Sequence, residues 1–143
     1  MPVRILLAAL AAAVLAPIAQ AAPAGALHLE LPATKSTYVD LNRKGYSPGD
    51  YFLSSGRLLD RGSHRPVGRL GGVWTILSRK ADHATFDLGL AGGTIFVSGR
   101  IVHAAPSSTL AVTGGTGIYA GRRGTVVFRY LSETTAALDV RLD

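Results

Sequence analysis

The sequence has no cysteine, one methionine and one tryptophan, and only nine acidic residues against fifteen Lys and Arg. Without cysteine there is no disulfide staple, thiol nucleophile, cysteine zinc site or N-terminal cysteine for a lipid anchor. With so few carboxylates, acid–base chemistry has few candidates. The surplus of basic residues gives a formal net charge of +6. Such a charge suits nucleic acid or an anionic surface. Yet the basic residues are scattered, with Arg57, Arg61, Arg65 and Arg69 as the densest set and Arg122-Arg123 beside them. No basic stretch is interleaved with aromatics as in an RNA-binding strand, so no nucleic-acid partner is expected. Long apolar runs are also missing, except from Ile5 to Leu15, which is shorter than the about 20 residues of a membrane span.

That run has one basic residue before it, Arg4, and ends at Ala19-Gln20-Ala21. A basic start, an apolar middle and small residues at a cut are the plan of a secretory signal peptide. Residues 1–21 are therefore read as an export signal and 22–143 as one mature domain with no membrane span, secreted or otherwise outside the cytoplasm. Removal of the segment lowers the hydrophobic share to that of an ordinary soluble domain. It removes none of the 17 glycines. Glycine is then about twice as common as usual in the mature chain.

Period-two alternation recurs along that chain. Leu27, Leu29 and Leu31 alternate with His28 and Glu30, and Phe86, Leu88 and Leu90 with Thr85, Asp87 and Gly89. Ile95, Val97, Gly99 and Ile101 alternate with Phe96, Ser98 and Arg100. Val126, Phe128 and Tyr130, then Leu138, Val140 and Leu142, repeat the pattern. Between them lie turn sequences such as Ser47-Pro48-Gly49, Ala91-Gly92-Gly93 and Gly121-Arg122-Arg123-Gly124. The pattern predicts strands near 27–31, 36–42, 50–59, 68–78, 84–90, 94–102, 109–113, 124–131 and 136–142. About eight of them are expected in the main sheet. The expected fold class is all-β, an eight-stranded antiparallel β-barrel with a central pocket and a calycin- or lipocalin-like shape.

Several motifs invite chemistry. Gly115-Thr116-Gly117 resembles the opening of a phosphate-binding loop, but that loop needs a helix behind it. The run from Thr125 to Leu131 reads as a strand, so a tight turn between strands is the preferred reading and no cofactor is expected. His28, His64, His83 and His103 show no metal-ligand spacing, and no metal is expected. No Gly-x-Ser-x-Gly elbow marks a serine nucleophile. Asp40, Asp50, Asp60 and Asp87 lie in or beside strands. A carboxylate facing into an apolar barrel would be an acid or base of shifted pKa. Asp50 and Asp60 also sit at strand ends, where Asp commonly makes turns.

The element Ala111-Val112-Thr113-Gly114-Gly115-Thr116-Gly117-Ile118-Tyr119, followed by Gly121 and Arg123-Gly124, resembles the dirigent / allene oxide cyclase barrel-like superfamily. Gly49-Asp50, Leu59-Asp60, Val67-Gly68 with Gly71-Gly72, and Ser98-Gly99-Arg100 follow in family order, so the resemblance covers roughly residues 49–143. It implies a barrel that is often trimeric, with a hydrophobic pocket and no redox centre of its own. Dirigent proteins steer the coupling or cyclisation of reactive phenolics. Allene oxide cyclases fold a reactive epoxide so that one enantiomer closes. Arg100, Arg123 and Tyr119 match motif positions. The cysteine that allene oxide cyclases carry is Trp74 here, and their asparagine near Gly56 is missing, so that activity itself is not expected.

The reading is a secreted dirigent-like barrel that binds a small apolar, aromatic or phenolic molecule and steers its reaction by orientation. Its catalytic residues are unassigned. Arg100, Arg123, Tyr119, Trp74 and Asp50 are the candidate ligand-binding residues. An arginine in the cavity would hold a carboxylate, a phenolate or developing negative charge. Tyr51, Phe52 and Tyr130 are further wall candidates. The resemblance implies a homotrimer. The alternative is a non-catalytic binding or structural module of the cell envelope.

Overall fold

The computed structural model describes residues 25–41 and 44–143. The export segment expected over residues 1–21 lies outside these residues. Nine strands follow in chain order: β1 (Ala26–Leu31), β2 (Thr34–Val39), β3 (Tyr51–Asp60), β4 (Pro66–Ser78), β5 (Ala81–Leu90), β6 (Gly93–Val102), β7 (Ser108–Gly115), β8 (Gly124–Tyr130) and β9 (Ala136–Leu142). Every neighbouring pair is antiparallel. From β3 to β9 each strand pairs with the next, and β1 joins β9 to β3. That closes an eight-stranded barrel, the expected fold class, with β2 as a ninth strand beside β3. Among the described strands, closure leaves β2 and the start of β1 with a free edge, which limits edge-to-edge association.

β1 and β2 share the same edge of β3. Leu29 and Glu30 pair with Asp60 and Leu59, while Thr34 to Val39 pair with Gly56 to Tyr51. β1 follows β9 along its whole length, up to Leu31 opposite Ala136. Beyond Pro32 the chain leaves β9 and continues as β2. The wall therefore parts between β2 and the β8–β9 loop. Outside the wall, the Asp139 carboxylate on β9 accepts from Arg61 and Arg129 and contacts the His28 ring, so it clamps β1, β8 and the β3–β4 turn together. Burial pushes the Asp139 carboxyl up, but the His28 and Arg61 hydrogen bonds and the arginine charges outweigh it and hold it below its usual range.

The alternating apolar positions do turn inward. Leu58, Leu70, Leu88, Ile95, Val126 and Leu138 are fully buried and fill the barrel's middle. Each contributes about 2 kcal/mol by leaving water. The pocket is consequently not a channel through the centre but a recess at one end. β2 ends at Val39, short of the expected 42, because Asp40 accepts from the Gly45 amide and Asp50 from the Leu41 amide, which bends the chain into a loop. The glycine-rich element turns through a three-residue helical turn, Gly117–Tyr119, before β8.

Candidate functional site

The barrel's two ends differ in what they carry. One is formed by the β2–β3, β4–β5, β6–β7 and β8–β9 connections, and the wall parts there. A cavity of about 190 Å³ opens at this mouth. Phe52, Trp74, Phe128 and Tyr130 give it an aromatic wall. Thr34, Ser36 and Ser54 bring hydroxyls from β2 and β3, and Asp82 and Glu133 bring carboxylates. Trp74 stacks on Phe86, with ring centres 5.6 Å apart and planes 8° off parallel. Gly72 on β4 makes room for this stack, since a Cβ there would run into Phe86. Phe128 and Tyr130 meet edge to face at 5.0 Å. Such arrangements fix ring orientation as well as bury area.

Asp82 is the buried carboxylate of the site, at 7% exposure. It is the second residue of β5 and has the same parity as Ala84, Phe86 and Leu88, so its side chain points inward. His103 Nε2 lies 2.9 Å from Asp82 Oδ2, and His103 Nδ1 lies 3.3 Å from the Arg79 carbonyl. The Tyr46 hydroxyl donates to Asp82 Oδ1 at 3.4 Å. Burial raises the phenols of Tyr46 and Tyr130, and the nearby Asp82 charge raises them further. Both are thereby kept as proton donors. A carboxylate backed by an imidazole and flanked by neutral phenols can accept, hold and return a proton at a bound molecule.

Asp50 lies in the loop beside this mouth but outside its lining. It is fully buried, and its oxygens accept from the Leu41 and Ser47 amides and the Tyr38 and Ser47 hydroxyls at 2.7–2.9 Å. The Leu41 amide and the Tyr38 phenol hold its carboxyl down at about 2. In return, burial and Asp50 push the Tyr38 phenol up to about 12. These bonds leave Asp50 no free oxygen to offer a ligand. It shapes the loop that brings Tyr46 to Asp82.

The other sequence candidates are spread apart. Trp74 lines the cavity, as do Phe52 and Tyr130, while Tyr51 faces the opposite side of β3. Arg100 is exposed on the outer wall, opposite His83 in register. Arg123 is exposed beside Gly114, and Tyr119 is buried, both at the far end of the barrel. Among the described residues no arginine or lysine lines the cavity. The site groups are carboxylates, not the expected guanidinium groups. Asp82 and His103 lie just outside the strands expected from the sequence over 84–90 and 94–102. The signal was there: extending the inward parity of Phe86 back and of Ile101 forward reaches both. Glu133 lies in a loop, where parity gives no signal.

The far end also holds a hollow, lined by Leu27, Val67, Leu90 and Tyr119 with His28 and Asp60. At about 240 Å³ it is larger than the mouth cavity. Its polar groups are already engaged: His28 meets Asp139, and Asp60 accepts from the Ser63 amide and hydroxyl. Chemistry rather than size therefore selects the mouth.

No protein-family model matches the sequence, and none of the curated proteins compared with it matches either. Solved structures do match. A pyocyanin demethylase superposes with a TM-score of 0.71 at 23% identity, over 83% of this chain and 100% of that one. The pterocarpan synthase dirigent protein PsPTS1 gives 0.71 at 17% identity, over 82% and 93%. The Diels–Alderase AbmU from Streptomyces koyangensis gives 0.63 at 20% identity, over 83% of this chain and 64% of that one. The chain thus has the barrel fold of dirigent proteins and of these barrel enzymes.

Proposed function

We propose that the protein binds a small, flat, largely apolar molecule at the β2–β9 mouth and steers its reaction there. The observation that carries this reading is a buried carboxylate, Asp82, held by His103 at 2.9 Å inside an aromatic cavity. The stacked wall would fix the ligand's orientation, which is itself a large part of lowering a cyclisation or coupling barrier. Asp82 would move a proton at the exposed edge of the ligand, with His103 holding the carboxylate in place through their 2.9 Å contact. The neutral Tyr130 phenol, which lines the cavity, would hydrogen-bond to negative charge developing on the ligand, while Tyr46 donates to Asp82. The dirigent protein, the demethylase and the Diels–Alderase that share the fold are consistent with such a cavity.

Export of the chain and its assembly as a homotrimer belong to the same proposal. Leu53 and Phe96 are 46% and 41% exposed on the outer wall, where an assembled trimer would cover them. The second reading, a binding module of the cell envelope, draws on Arg57, Arg65, Arg69, Arg100 and Arg123, all exposed outside the barrel. Trp74 is the only tryptophan, so its fluorescence reports the cavity directly. Screening small aromatic compounds by Trp74 quenching, then assaying hits for conversion with wild type and Asp82→Asn, tests the proposal. Binding by both and turnover by wild type alone is expected. Turnover unchanged by Asp82→Asn would overturn the assigned role.

A further inference from the structure

The cavity runs against the charge of the molecule around it. The chain carries fifteen Lys and Arg and a net charge of +6. Among the described residues no Lys or Arg lines the mouth cavity, whose ionisable lining groups are Asp82, Glu133 and the Tyr130 phenol. Glu133 forms no ion pair among the described residues. The rest of the wall is aromatic, with Trp74, Phe52, Phe128 and Tyr130 around the same space. Aromatic faces attract cations through the ring quadrupole, and tryptophan does so best. A carboxylate at the rim adds direct attraction.

From this juxtaposition of aromatic rings and unneutralised carboxylate we infer that the cavity selects planar aromatic cations over neutral or anionic molecules of the same shape. The inference rests on the mouth being the ligand site and names the class of ligand for it. Charge spread over a ring system suits such a cavity better than an ammonium group. A compact ammonium is strongly hydrated and loses more on entering an apolar recess, whereas a delocalised cation gives up less water. A delocalised cation can stack on Trp74 and present its edge to Asp82. Glu133, on the β8–β9 loop, would then supply the charge preference, and the stack would supply shape. The positive outer surface gives such a ligand no long-range steering, so the preference should appear in affinity rather than in a fast association rate.

Three probes of one shape test this: N-methylquinolinium, naphthylmethanol and naphthoate, titrated calorimetrically into the full chain at low salt. N-methylquinolinium is expected to bind about tenfold tighter than naphthylmethanol, and naphthoate to bind weakest. Glu133→Gln should shrink the cation's advantage several-fold and leave naphthylmethanol affinity unchanged. Glu133 is an exposed loop residue, so this variant is expected to fold normally. Added salt should weaken only the cation's binding. Equal affinity for all three, or tightest binding of naphthoate, with quenching of Trp74, would overturn the charge preference and leave the site standing. If no probe binds or perturbs Trp74, the site reading itself falls and the charge preference with it.

Discussion

The two ends of this barrel are built for different tasks. At the mouth the wall parts, and aromatic rings and two carboxylates face a common space, with the His103 imidazole behind Asp82. At the far end the chain closes on itself. There the Ile118 amide donates to the Gly92 carbonyl and the Thr116 amide to the Thr94 carbonyl, packing the glycine-rich turn against the β5–β6 hairpin. Gly117 adopts a φ of 59°, and a Cβ there would run into the Gly92 carbonyl. Tyr119 is buried beside it. The element that most resembles a known family thus lies at the end with the least available chemistry. A barrel can hold one end fixed by backbone constraint and leave the other open to vary.

Substitutions that separate the ends break or sharpen this contrast. The largest effect on stability is expected from Gly117→Val, about 3 kcal/mol from the strained φ and the lost close approach, read as a lowered midpoint in urea unfolding. Any folded fraction should bind ligand normally. Asp82→Asn should do the reverse: turnover falls about a hundredfold while the unfolding midpoint moves little by comparison. Asp50 gives a smaller effect, set by pH. Its folded carboxyl is held near 2 against an ordinary 3.8. Its stabilisation is therefore fully present above the unfolded value and is lost as pH falls through the folded one. Acid titration of wild type should show a loss of stability between about pH 4 and pH 2 that Asp50→Asn lacks. Least of all, Arg100→Ala and Arg123→Ala should each shift stability by less than about 0.5 kcal/mol and leave ligand affinity unchanged, as measured by Trp74 quenching.

Strand parity explains what could be read ahead of the structure. Leu88, Ile95, Val97 and Val126 hold every second position of their strands and are buried, while Asp87, Phe96, Ser98 and Thr125 between or beside them are more exposed; β9 departs from this, with Ala136, Ala137 and Leu138 all buried. Trp74 was legible as a wall residue because a large ring in a strand needs a buried face. Arg100 alternates with Val97-side positions that point inward, so the same rule places it outside. Motif matching favoured it only because the family resemblance did. Asp50 stood out at the head of a strand, yet four donors converge on it through a loop fold that no local pattern encodes. Asp82 and His103 meet across the β4–β5 and β6–β7 ends, 21 residues apart in sequence. Their contact depends on strand register, which closure of the whole barrel sets.

The most direct test is amide chemical-shift mapping during titration with N-methylquinolinium. Shifts are expected to concentrate at Trp74, Asp82, His103 and the 131–135 loop, with Gly117 and Tyr119 unmoved. Shifts centred on Tyr119, Leu27 and Leu90 instead would put the ligand at the glycine-closed end and contradict that expectation.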